Sequence, residues 1–138
     1  MKRRYVKITL FVIWSLFVLT TTTQSECMVV VKVMSAIFGR GELIQVVGHI
    51  GLFGILTGTS YGVLRLRLAK HRALILSMLI CLLIGTITEV SQLFVADRSF
   101  ASTDLLANWL GTFIIGGLVK LNTPSIQSTN SHKDNCCP

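Results

Sequence analysis

The chain has 138 residues, 51% of them hydrophobic, with thirteen Lys or Arg against six acids. That is enough for one compact unit, and too apolar for a soluble domain of this length. A net charge of +7 could suggest nucleic acid, but the basic residues flank apolar segments instead of gathering on one face, so no nucleic-acid partner is expected.

Taken in chain order, four segments are candidates to cross a bilayer, whose core of about 30 Å requires roughly 17–25 helical residues. The expected helices are about 8–23, 43–64, 73–95 and 104–120, together making one transmembrane domain over residues 1–122. The first has a basic lead-in and a short apolar core, features shared with a signal peptide. No small-x-small cleavage site follows the run from Thr20 to Ser25; cleavage there would leave three spans. The second segment meets the length requirement outright. The third is uninterrupted from Ala73 to Thr88 and spans only if its helix continues past Glu89, which draws Glu89 and Gln92 into the outer part of the membrane. The fourth needs Asp104 to complete it. Beyond it, residues 123–138 are polar and are expected to form a disordered cytoplasmic tail.

Charge sets the orientation. Lys2, Arg3, Arg4 and Lys7 precede the first segment, Arg65, Arg67, Lys70 and Arg72 separate the second from the third, and Lys120 and Lys133 follow the fourth. The other side carries Lys32, Arg40 and Arg98 alone. The positive-inside rule therefore predicts an all-α bundle of about four transmembrane helices with both termini cytoplasmic, and places the turn from Glu89 to Asp104 outside. His71 falls in the basic loop and His132 in the tail. Cys27, Cys81, Cys136 and Cys137 show no metal-site spacing and read as inert thiols.

Small residues predict how the helices meet. Gly54, Gly58 and Gly62 recur every four residues and line one helix face, where they allow close backbone approach within the bundle or in a homo-oligomer. Ser77, Cys81, Gly85 and Glu89 form a matching stripe on the third helix, and Asp104, Asn108 and Gly111 or Thr112 share a face on the fourth. The last two helices should pack as a hairpin with their polar ends adjacent and Arg98 in the turn. His49, roughly 9 Å below the outer end of the second helix at 1.5 Å per residue, lies at the depth expected for Glu89.

The series Glu89, Gln92, Arg98, Asp104, Asn108 and Gly111, with His49 and Phe53 upstream, resembles the VanZ-like family of small bacterial membrane proteins. The likeness covers the second to fourth segments, about two-thirds of the chain. It implies a helical bundle in a bacterial cytoplasmic membrane, and an association with the cell envelope and with resistance to glycopeptide antibiotics, teicoplanin in particular. Many members carry an Asp-Lys pair shortly before the histidine; Gln45 and Val46 stand there in this chain, and Ile50 replaces an aromatic residue.

His49, Glu89, Gln92, Arg98, Asp104 and Asn108 are thus the candidate ligand-binding residues. An arginine fork suits phosphate, and the carboxylates favour a ligand that also carries hydroxyls, amides or an amine. A membrane lipid or lipid-linked cell-wall precursor has that chemistry, the family supplying the ligand class. A second account makes the same residues architectural, as interhelical bonds and a bridge from Arg98, with Asp104 in the first turn of the fourth helix and Ser102 as its cap. In a third, Glu89 is the general base of a membrane enzyme, although no nucleophile is singled out. Neither repeated halves nor broken helices favour transport. No cofactor is expected; metal binding by His49, Glu89 and Asp104 is geometrically conceivable, but the three are scattered without a recognised metal motif, and no metal is expected.

Overall fold

The computed structural model describes residues 2–23, 36, 42–94 and 101–122. Four helices account for nearly all of them: α1 (Lys2–Thr23), α2 (Glu42–Leu64), α3 (Lys70–Gln92) and α4 (Ser102–Leu121). All four are long and apolar enough to cross a membrane. At 22, 23, 23 and 20 residues, and 1.5 Å per residue, each covers about 30 Å or more.

Several boundaries differ from the expected ones. Helix α1 starts at Lys2 and α3 at Lys70, so their basic flanks are helical. His71 therefore lies in the first turn of α3, not in a loop. At its other end α3 continues past Glu89 to Gln92 and stops there, Leu93 and Phe94 closing a turn by N–H bonds to Val90 and Ser91 at 3.2 and 3.1 Å. Ser102 is not the cap of α4. It is the first helical residue, and Ala101 occupies the cap position with no side-chain bond, the first turn closing instead through Asp104 N–H to Ala101 C=O at 3.0 Å. Arg98 and residues 123–138 lie outside the described residues.

Polarity is inverted relative to a soluble bundle. The buried face of α3 consists of Ala73, Ser77, Cys81, Gly85, Thr88, Glu89 and Gln92, while Leu79, Leu83 and Ile87 are more than half exposed. Likewise α4 buries Ala107, Asn108, Gly111, Thr112 and Gly116 and turns Leu106, Leu110, Phe113 and Ile114 outward. In lipid, apolar side chains gain nothing by turning inward, and small and polar residues hold the helices together. Hydroxyls on these faces are satisfied locally: Thr57, Ser77, Thr88 and Thr112 each donate to a carbonyl three or four residues back, as a medium without water demands.

The central pairing is α2 with α4, the most extensive in the bundle. The two run parallel, His49 meeting Asn108 near their starts and Gly54 meeting Ile115 further along. At Gly111 the α2 backbone comes so close that an added Cβ would overlap the carbonyl of Ile50. Gly54 is also tight, with Ile115 Cγ1 3.1 Å from where its Cβ would be. Further along, contact relaxes to 3.7 Å at Gly58, and around Gly62 nothing lies within 4 Å. The glycine stripe of α2 therefore serves close approach at one end only, because the helices diverge from their crossing.

Helix α3 packs on both α2 and α4, and α1 leans mainly on α2. Phe53, Leu56, Cys81 and Val18 form the fully buried apolar cluster. Phe53 presses on Gly85, where a Cβ would lie 3.1 Å from its ring. Trp14 on α1 donates its indole N–H to the backbone carbonyl of Leu52 at 3.1 Å.

Candidate functional site

The fold gathers polar side chains at the end of the bundle where α3 finishes and α2 and α4 begin. Each is delivered by a short local pattern. Glu89 ends the four-residue stripe of α3, Asp104 and Asn108 sit one turn apart on α4, and His49 stands in the second turn of α2. Helical spacing turns Asp104 and Asn108 to the same side. The close crossing at Gly111 and Ile50 then brings His49 against them, Ile50 being its immediate neighbour in α2.

Asn108 is the centre of the arrangement. Its Nδ2 donates to Glu89 Oε1 at 3.2 Å, and its Oδ1 lies 2.8 Å from His49 Nδ1. One fully buried amide thus joins three helices. The pairing also sets the imidazole. The amide points its NH2 group at Glu89 and its oxygen at His49, the orientation an ionised carboxylate requires because its oxygens only accept. That oxygen accepts as well, so Nδ1 must carry the hydrogen. His49 Nε2 is thereby aimed the other way, toward Asp104 Oδ2 at 3.7 Å. This is too long for a hydrogen bond and within reach of an ion pair should the ring be protonated.

Burial is graded across the cluster. Glu89 and Asn108 are completely enclosed, whereas the side chains of His49 and Asp104 keep 13% and 15% of their surface. Gln92, one turn beyond Glu89, is buried on the same face of α3. Thr88 and Ser91, the hydroxyls nearest Glu89 in sequence, are committed to the carbonyls of Gly85 at 2.9 Å and Thr88 at 2.7 Å, so neither is a ready nucleophile. His49, Glu89 and Asp104 each place one potential donor atom so that all three atoms lie within 4.8 Å of one another.

Of the residues singled out from sequence, His49, Glu89, Asp104 and Asn108 converge, and Gln92 lies buried beside them; Arg98 lies outside the described residues. Gly111 stands one turn from Asn108 at the backbone crossing. The sequence reading missed the shared role of Asn108. Its four-residue spacing from Asp104 marked the face, but no local signal says that an amide on α4 will serve partners on both α2 and α3.

No curated protein and no solved structure matches the chain significantly. A family model described as VanZ/LLP1 matches residues 3–122, taking in all four helices and every residue of the cluster. With four apolar helices and a match over most of its length, this multi-pass membrane protein belongs to the VanZ/LLP1 family.

Proposed function

We propose that the chain binds a polar head group at the outer face of the bacterial cytoplasmic membrane, the group being that of a lipid or of a lipid-linked cell-wall precursor. The observation that carries this reading is the gradient of burial: a closed floor of Glu89 and Asn108 beneath a partly open rim of His49 and Asp104. Ionisable residues at membrane depth are costly and as a rule mark functional sites. A purely architectural pair would be served by full closure, whereas this rim leaves polar atoms reachable from the end of the bundle. Two carboxylates and an imidazole suit hydroxyl, amide or amine groups, with Arg98 available in sequence for a phosphate. The excess of Lys and Arg beside the ends that the termini share supports an orientation with both termini in the cytoplasm. Family membership supports the envelope as the setting, and the proposal extends to an influence on the response to glycopeptide antibiotics.

Native mass spectrometry of protein released from its host membrane tests the proposal. Wild type should carry a specific lipid or precursor adduct that is lost from Glu89→Gln and from Arg98→Ala while both variants remain inserted. An adduct retained by both variants, or its absence from wild type, would sink the head-group site.

A further inference from the structure

We propose that His49, Glu89 and Asp104 bind one divalent transition-metal ion of the zinc kind, each from a different helix. The sequence offers no metal motif for it, because the three residues lie 40 and 15 positions apart. The case rests on geometry. The gap between His49 Nε2 and Asp104 Oδ2 is 3.7 Å. Two ligands on one tetrahedral zinc, each about 2.0–2.1 Å from the metal, stand roughly 3.3 Å apart. The observed pair is thus too far apart for a hydrogen bond and within about half an ångström of the separation that a shared metal imposes. A Glu89 oxygen completes a triangle whose longest side is no more than 4.8 Å, which a shared metal would shorten by up to about 1.5 Å.

The surroundings carry the same signature. A histidine that binds metal through one nitrogen almost always donates from the other to an oxygen, which fixes its tautomer. Asn108 does this for His49 at 2.8 Å and at the same time holds one oxygen of Glu89 at 3.2 Å. A single amide therefore orients two of the three ligands. The Nε2 lone pair of a neutral ring would otherwise face a carboxylate, an arrangement that is repulsive unless a cation or a proton lies between. Three protein ligands with a partly open rim leave a coordination position for an outside oxygen, as in zinc sites that act on a ligand. A bound divalent ion would also present an electrophilic centre to phosphate or carbonyl oxygens of a ligand. The metal site stands independently of any lipid.

The test uses the full chain, purified in detergent through a histidine-free tag, with His132→Gln, Cys136→Ser and Cys137→Ser to silence the tail. Elemental analysis after dialysis against Zn2+ should find one ion per chain. X-ray absorption at the zinc edge should show a single imidazole among oxygen ligands, and this reading needs no variant to fold. Asn108→Ala, acting through the ligands it orients, should weaken Zn2+ by about 10–100-fold. His49→Ala and Asp104→Asn should weaken it more, and His71→Ala not at all. Failure to retain stoichiometric zinc, a coordination shell without imidazole, or affinity unmoved by His49→Ala and Asp104→Asn would overturn the proposal. The lipid reading is separable: zinc bound without a lipid adduct leaves the metal site standing, and an adduct on a chain that binds no zinc leaves the head-group site standing.

Discussion

At the scale of single residues, Asn108 has more consequence than either acid it accompanies. Its amide is fully buried and makes one bond to each of two helices. Truncating it leaves Glu89 Oε1 and His49 Nδ1 without this partner, at about 1–3 kcal/mol for a buried group so orphaned, though polar contacts between membrane helices average nearer 0.6. Asn108→Ala should therefore lower the unfolding free energy in mixed micelles by about 1–2 kcal/mol, between those two figures. Thr112→Val removes a hydroxyl that bonds only to its own helix at 3.0 Å and should cost clearly less. Equal losses in the two variants would mean that Asn108 does no more than any interior polar residue.

At the scale of helices, the decisive contact is backbone against backbone. Gly111→Ala places a methyl into the carbonyl of Ile50, so α2 and α4 must separate. Overpacking of this kind costs about 1–3 kcal/mol, and here it also pulls His49 away from Asn108. Gly62→Ala meets open space and should be neutral or slightly stabilising, by up to about 1 kcal/mol from helix propensity. Thermal unfolding of both variants in detergent checks the contrast; similar midpoints would remove the crossing from its central position. The comparison also shows where sequence reading reaches its limit. The stripe from Ser77 to Glu89 was legible because a four-residue period fixes a face whatever the neighbours do. Which of the α2 glycines make close contact was not, since that depends on where two helices cross and how quickly they diverge. For the same reason the depth match of His49 with Glu89 was legible while the amide joining them was not. Helices α3 and α4 start three and two residues earlier than expected because hydropathy marks the edge of lipid, and helices continue beyond it.

For the molecule as a whole, α1 decides between four spans and three. Its basic start and short apolar core admit removal, but the structure uses it: Val18 is fully buried in the apolar cluster, and Trp14 hands its N–H to a carbonyl of α2. A segment discarded after export has no reason to complete a core. The intact mass of protein extracted from membranes should therefore include α1. A mass lacking residues 2–23 would show that the mature bundle has three helices.

The crossing of α2 and α4 acts, finally, as a fulcrum. Helices accommodate bilayers of different thickness by tilting, and two helices that approach most closely at one crossing and diverge beyond it tilt about that crossing. His49 is the residue next to Ile50, and Asn108 lies three before Gly111, so the polar cluster sits beside the pivot, where displacement is least. The far ends, with the cleft between α3 and α4 bordered by His71, Met78 and Lys120, lie at the tips of the levers. A thinner or thicker membrane would thus reshape the opposite end of the bundle while the spacing of His49, Asp104 and Asn108 stayed nearly constant.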